Sequence, residues 1–260
     1  MKSTLKLQQL FSTASKTLVL SKQQISSSSS CFSTIPNLTD IYLNTEPKRL
    51  ATLTHEEVSK INLLIPRLCL SNHLTTAIQL TAAALLTNPP PNPKSISFSI
   101  LAHSLTLQPD LKLPMSLLTR LTHIPQAHPH LTPICKILIA SYLNNGRPKD
   151  GFKVYKWMLR PGSPCTIDKA TYGILVGGLC SSGLVLEGLM VLRNMLESKV
   201  PLLPGDGLRK IVIRSLLREA RVKEALAFQQ LLPSSNEFGC VEGLRKAVDL
   251  LDHLIGNWTD

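Results

Sequence analysis

Aromatic residues are scarce in this chain: Phe, Tyr and Trp together make up 5% of its 260 residues. The apolar content is carried mainly by Leu and Ile, a composition that favours helices over sheet. Long hydrophobic runs are also missing. The stretch Ile61–Leu70 is interrupted by Asn62, Pro66 and Arg67, and nothing approaches the ~18 continuous apolar residues of a membrane-spanning helix. The six cysteines stand at 31, 69, 135, 165, 180 and 240. No two form a CxxC pair, which argues against a structural zinc site of the usual spacing, and a chain of this length needs no disulfide frame. Reduced, mostly buried thiols in a reducing compartment are expected. Catalytic signatures are absent too: no GxxxxGK[ST], HExxH or GxSxG, and no HxE followed by PCxxC.

Acid is lacking at the start of the chain. The first acidic residue is Asp40, while Lys2, Lys6, Lys16 and Lys22 precede it in a Ser-rich segment ending SSSSSCFSTIP. Leu5, Leu7, Leu10, Phe11 and Leu18 share one face of a helix there. A basic, acid-free, Ser-rich, amphipathic leader is the signature of an organelle transit peptide, expected over residues 1–35. It points to the mitochondrion, with the plastid as the alternative. A polar lead-in with Pro36 and Pro47 follows over residues 36–57. The whole chain carries a formal charge of +11, and removing the four leader lysines leaves 11 − 4 = +7, still enough to favour polyanionic partners.

What is present is a repeat. Stepping by 37 residues from Gly183 reaches Gly146 and Ala220; Glu187 aligns with Asp150 and Glu224, Gly188 with Gly151 and Ala225, and Met195 with Met158 and Leu232. The apolar positions Leu175, Val176 and Leu179 align with Leu138, Ile139 and Tyr142 behind them and with Val212, Ile213 and Leu216 ahead. The same step continues back to Leu101 and Leu64, and to Leu105 and Leu68, with Pro109 and Asn72 in the turns. Apolar positions recurring at one period predict five units, starting near Val58, Ser95, Thr132, Lys169 and Asp206 and spanning residues 58–232. Each is a helix, a turn and a second helix. The acid sits where the second helix's dipole favours it, the small residue after it allows close crossing, and Gly or Asn in the turn can turn left-handed. A lone helix pair cannot bury its apolar face, so the units stack: an all-α solenoid. NPPPNP (88–93) and IPQAHPHLTP (124–133) are expected as loops. Pro114 is expected in the first turn of a late-starting helix in unit two. Residues 233–260 supply a capping helix with Phe238, Val241, Leu244, Val248, Leu251 and Ile255 as one apolar stripe and Ser235 or Asn236 as N-cap.

The stretch TYGILVGGLCSSGLVLEGLMVLRNM (171–195) resembles a pentatricopeptide repeat. Thr171-Tyr172, Gly178-Leu179-Cys180, Gly183, Glu187 and Met195 carry the likeness, and YLNNGRPKDGFKVYKWM and SLLREARVKEALAFQQLL look like the same motif. The likeness is at motif level from Thr132 to Leu232 and only periodic before that. It implies an organellar protein that binds single-stranded RNA, each unit reading a base from its first helix. The implied base-facing positions are Asn62, Ser99, Lys136, Gly173 and Lys210. The family uses Asn, Ser or Thr there, so only Asn62 and Ser99 fit. The positions implied to sandwich a base are Ser59, Ile96, Pro133, Ala170 and Gly207, of which Ile96 alone matches.

Independently of the likeness, Lys210, Arg214 and Arg218 follow at i, i+4 and i+8 and share a helix face. Such a stripe is either a phosphate-tracking surface, which Lys136 would extend to unit three, or the solvated face of a basic protein. Arg209 and Arg221 lie near it. His123, His128, His130 and Cys135 cluster in sequence without a carboxylate nearby, which argues against a metal site. Cys180 is expected in the core because its counterparts are Leu143 and Leu217, and Tyr155 and Trp157 are expected to pack. These features predict a non-catalytic protein with no cofactor and no metal. The partner is single-stranded organellar RNA, in transcript processing, stability or translation. The alternative is a structural or adaptor subunit of an organellar ribonucleoprotein such as the mitochondrial ribosome, where protein subunits are the partners.

Overall fold

Four turns set the phase of the molecule. In the computed structural model, Asn72, Gly146, Gly183 and Ala220 have φ of +57°, +68°, +80° and +57°. They are spaced by one or two steps of 37, and each lies in the link between the two helices of a unit. The left-handed residue lets the chain close a helix C-terminus by a 6→1 hydrogen bond. The His73, Arg147, Leu184 and Arg221 amides donate to the carbonyls of Leu68, Tyr142, Leu179 and Leu216 at 2.8–3.0 Å. The repeat inferred from side chains is thus repeated in backbone geometry.

The structure describes residues 54–85, 98–198, 201–231 and 241–258. The expected transit peptide (1–35), the lead-in to residue 53, the Pro-rich connection 88–93, Ile96 and the expected N-caps Ser235 and Asn236 lie outside them. The chain divides into two units, 1–48 and 49–260, and all described residues belong to the second. Its helices are α1 His55–Leu70, α2 Leu74–Leu85, α3 Phe98–Thr106, α4 Lys112–Thr122, α5 His128–Asn144, α6 Pro148–Met158, α7 Lys169–Ser181, α8 Val185–Leu196, α9 Asp206–Arg218, α10 Val222–Leu231 and α11 Val241–Gly256. No strand occurs among the described residues. The architecture is therefore all-α, five helix pairs and a final helix.

Within each pair the two helices pack together. The first helices α1, α3, α5, α7 and α9 each pack on the next, and the second helices α2, α4, α6 and α8 each touch the first helix that follows. One contiguous core runs through the stack, with Ile65, Leu101, Leu138, Leu175 and Val212 fully enclosed; four of these five stand 37 residues apart. Burying such side chains supplies roughly 1.5–3 kcal/mol each, which isolated helix pairs could not collect.

The first-helix layer is drawn together by a column of small residues, Ser104, Ser141, Gly178 and Ser215. Each meets the preceding unit. A Cβ on Gly178 would stand 2.5 Å from Leu143 Cδ1, Ser141 Oγ shares a 2.7 Å hydrogen bond with Thr106 Oγ1, Ser215 Oγ donates to the Cys180 carbonyl at 3.2 Å, and the Ser104 hydroxyl moderates the rise that burial imposes on the Cys69 thiol. The unit-one counterpart is Arg67, an exposed residue with no earlier helix pair to meet among the described residues.

Local chemistry explains the boundaries. α1 opens at His55, just before the expected Val58, because Thr54 and Glu57 form a capping box. α7 opens on Asp168, whose Oδ1 accepts from the Thr171 amide at 2.7 Å. Pro114 lies buried in the first turn of α4, as expected.

Residues 124–133, by contrast, are not a loop. A 3₁₀ turn, Pro125–Ala127, leads directly into α5. Pro129 falls among the first helical N–H groups, which have no intrahelical acceptor anyway, and Pro133 forfeits a single bond. Burial of Leu131, Ile134 and Cys135 outweighs that loss.

The turn of unit two departs from the series. Proline cannot take a positive φ, so Pro109 cannot close the α3 C-terminus as Gly146 closes that of α5. Arg147 of the next unit supplies the missing donors. Its guanidinium donates to the carbonyls of Thr106, at 2.8 Å, of Gln108, and of Pro109, at 3.0 Å. Asp150 holds that guanidinium at 2.6 Å.

The final helix α11 packs on α8 and α10, the second helices of units four and five. Arg193 of α8 forks onto Asp252. Arg221 donates to the carbonyls of Asn257 and Trp258 at 3.0 and 2.9 Å and lies 4.5 Å above the Trp258 ring. Arg147 and Arg221 occupy the same place in their units and do the same work, closing the C-terminus of a neighbouring helix.

Candidate nucleic-acid interface

The five positions implied to face bases fall at equivalent places on the first helices: Asn62 on α1, Ser99 on α3, Lys136 on α5, Gly173 on α7 and Lys210 on α9. Ser99 and Lys210 are exposed, and Asn62, Lys136 and Gly173 are half-buried. Gly173 opens on free space: an added Cβ would meet nothing within 4 Å. Of the positions implied to sandwich a base, Ser59, Ala170 and Gly207 are exposed and Pro133 is half-buried.

Lys136 does not join the unit-five stripe as a free cation. Its Nζ lies 3.1 Å from Asp168 Oδ2, so the N-cap of α7 answers its charge. Burial alone would raise the Asp168 carboxyl. The Thr171 hydroxyl and amide, together with the Lys136 ammonium, hold it below its ordinary value instead. Asp168 had no place in the sequence reading. The signal was available: Asp immediately before a helix and three residues from Thr171 is a capping pattern, but which lysine it would meet depends on how unit four stacks on unit three.

Lys210, Arg214 and Arg218 are all exposed along one side of α9, and among the described residues none has an ion-pair partner. The stack explains why unit five can carry them. Gly177, the unit-four counterpart of Arg214, faces Leu208 and Ile211 of α9 at 3.8 Å from its would-be Cβ. Among the described residues no sixth helix pair follows unit five to crowd Arg214. The two cations flagged nearby serve the fold: Arg221 binds α11 and Glu224, while Arg209 is largely buried and pairs with Asp206 at 3.5 Å.

At the other end of the first-helix layer the chemistry changes. Where unit five has Arg218, units one and two have Leu70 and Leu107, 88% and 60% exposed. Leu63 and Ile100 stand exposed on the same two neighbouring helices. The first-helix layer thus runs from apolar at units one and two to cationic at unit five.

The residues expected to pack do so. Tyr155, Trp157 and Cys180 are buried. Tyr155 meets Tyr172 edge-on at 6.3 Å and accepts from Asn194 Nδ2 at 3.0 Å. Burial pushes the Tyr155 phenol upward and the Cys180 thiol up to about 12, which suits a core thiol and not a nucleophile. His128 and His130 sit on α5, not in a loop, and His130 is buried, which depresses its basicity. No group of three or more metal-type ligands comes together among the described residues, and no described helix is long and apolar enough to cross a membrane.

Comparison with known families places this geometry. Residues 132–181 match the PPR repeat family, and residues 170–200 match the PPR repeat. The matched stretch runs from α5 to just beyond α8, units three and four of the stack. No curated protein matches the chain.

Proposed function

We propose that the chain binds single-stranded RNA along its first-helix layer, a reading supported by the match of residues 132–200 to the PPR repeat, the mark of a family of RNA-binding helical repeat proteins. Unit five supplies the phosphate contacts. The observation that carries this reading is the Lys210–Arg214–Arg218 stripe: three exposed cations, one helical turn apart, without ion-pair partners among the described residues. A ribose-phosphate strand following that edge releases counterions at each contact. Lys210, at the base-facing position, takes the first phosphate; Asn62 and Ser99 have side chains that can hydrogen-bond a base; Gly173 reads none.

The protein acts without catalysis in transcript processing, stability or translation, within an organelle. The acid-free, lysine-bearing segment 1–35 supports mitochondrial import, with the plastid as the alternative destination.

One observation favours a second reading. Leu63, Leu70, Ile100 and Leu107 form an exposed aliphatic surface on units one and two, where an RNA reader would place polar or cationic groups. That surface suits a protein neighbour, as in an adaptor subunit of an organellar ribonucleoprotein.

The test is the salt dependence of binding to a single-stranded RNA pool, comparing the wild type with the Lys210→Ala, Arg214→Ala, Arg218→Ala triple variant. Each phosphate contact contributes about 0.7 to the slope of log K against log salt, so the triple variant loses about 2. A wild type without affinity at low salt rejects the RNA reading. Sequencing RNA crosslinked to the protein in isolated organelles identifies the target.

A further inference from the structure

Among the described residues unit five is the last helix pair, and it leaves three apolar side chains in the open. Leu217, near the end of α9, and Val222 and Leu226, on α10, are 47%, 51% and 54% exposed. Their unit-four counterparts at a step of 37, Cys180, Val185 and Leu189, are buried, and no counterpart in units one to three is exposed. At the Leu217 position the cover comes from the following unit. Gly178 of unit four lies against Leu143, and Ser215 of unit five donates to the Cys180 carbonyl at 3.2 Å; Leu143 and Cys180 are the counterparts of Leu217. Unit five has the same face and no sixth helix pair among the described residues to cover it. α11 packs on α8 and α10 and leaves the three side chains exposed. The face is thus the unit–unit interface of the stack continued to its end.

We propose that this end face pairs with the same face of a second copy of the chain about a two-fold axis. The inference does not depend on the RNA reading.

Two features point to that occupant. A head-to-tail contact would seat unit one of another copy on unit five. Unit one, however, carries an exposed Arg67 where the later units carry Ser104, Ser141, Gly178 and Ser215. A bulky cation stands where the stack requires a small residue, so the arrangement that would run on into a filament is blocked. The end face can instead meet itself. Its apolar side chains are flanked in sequence by Glu219 and Lys223, both exposed and opposite in sign, so a two-fold partner can set unlike charges against each other. A contact of that kind closes at two copies.

The face is small. α9 has 13 residues and α10 has 10, so the face is about 15–20 Å long and belongs at the lower end of specific interfaces. The dimer therefore exchanges with the monomer in the micromolar range.

The experiment is sedimentation velocity of the nuclease-treated full chain from about 1 to about 100 μM. The wild type moves from monomer to dimer as concentration rises, stops at two copies, and still does so at about 0.5 M salt, where contacts between exposed charges are screened. Leu226→Glu puts a charge into the apolar contact from both copies and holds the chain monomeric throughout. Lys223→Glu leaves Glu219 without an opposite charge beside it and raises the dissociation constant several-fold. Leu70→Glu, on the exposed aliphatic surface of units one and two, leaves the dimer unchanged. Far-UV circular dichroism checks that each variant is folded. Should Leu226→Glu unfold, Lys223→Glu and Leu70→Glu decide between the two faces. The proposal is overturned by a wild type that stays monomeric, which leaves the face to a different protein, by one that grows past two copies, or by association that nuclease abolishes. It is equally overturned by a dimer that Leu70→Glu dissolves while Leu226→Glu and Lys223→Glu spare it.

Discussion

Ala220 offers a substitution whose sign is set by the repeat. It stands at φ +57°, where Gly146 and Gly183 hold the same turn in units three and four. An L residue there pays about 1–2 kcal/mol for the left-handed conformation. Glycine does not, but it loses more freedom on folding, about 0.4–1 kcal/mol against alanine. The turn carbonyls are already satisfied, since the Arg221 amide reaches the Leu216 carbonyl at 3.0 Å and the Ala220 amide reaches that of Leu217 at 3.1 Å. Ala220 is exposed, so no packing is lost. The difference leaves Ala220→Gly more stable by roughly 0.5–1 kcal/mol. Gly183→Ala, at φ +80° with nothing within 4 Å of the new Cβ, meets no clash and is destabilised by a similar amount through backbone strain alone. Urea titration followed by circular dichroism measures both. Hydrogen exchange of the Arg221 and Leu184 amides localises each change to its own turn, since units of a stack need not unfold together. A less stable Ala220→Gly, or an unchanged Gly183→Ala, would refute the argument that these turns are equivalent.

Gly188 tests the close crossing within unit four. A Cβ there would lie 2.5 Å from Cys180 Sγ, inside a well-filled core, so Gly188→Ala should cost about 1–3 kcal/mol by overpacking. The double variant with Cys180→Ala should recover most of that loss, and a cycle in which the two losses simply add would place the strain elsewhere. Asp168 sets a pH dependence. Its carboxyl is held below its ordinary value in the folded chain, so its contribution is complete above the unfolded carboxylate range and is lost as pH falls through the lowered folded value. Asp168→Ala should cost about 1 kcal/mol at neutral pH through the lost N-cap, and its stability curve should converge with that of the wild type in acid. Curves that stay parallel down to the acid limit contradict the assignment.

Much of the fold was legible because it is written in a column of residues. Gly183 and its neighbours at a step of 37 locate four of the five turns, and Leu138, Leu175 and Val212 locate the core. Local patterns could not decide residues 124–133. Three prolines and three histidines within and just before that segment read as a loop, and only the enclosure of Leu131 and Ile134 by neighbouring helices makes it the start of α5. The candidate site was legible as a list of cations, not as a surface. Lys136, Arg209 and Arg221 look equivalent to Lys210, Arg214 and Arg218 in sequence. The first three are claimed by Asp168, by Asp206 and by the end of α11; Asp206 is a local i, i+3 partner, while the other two partners become neighbours only through stacking.

Unit two shows how the repeat tolerates a break. Its turn has Pro109 where a left-handed residue is needed, so the last carbonyls of α3 lose the donors that units one, three, four and five provide from their own backbones. Left open beside a core that holds Leu105 and the Thr106 hydroxyl, those carbonyls would each cost roughly 1–3 kcal/mol if kept from water. Arg147 and Asn145 of unit three answer the break: the guanidinium reaches the Thr106 carbonyl at the end of α3 and the turn carbonyls of Gln108 and Pro109, and Asn145 Nδ2 donates to the Thr106 hydroxyl at 2.9 Å. The repair is directional, because it is the following unit that closes the defective one. Unit two therefore depends on unit three for its own C-cap as well as for burial, and the stack is more strongly coupled at that junction than the sequence likeness of its early units would suggest. The same position is used once more at Arg221, where the neighbour being closed is α11. An arginine just after the left-handed turn is thus the chain's means of joining elements that depart from the repeat to those that keep it.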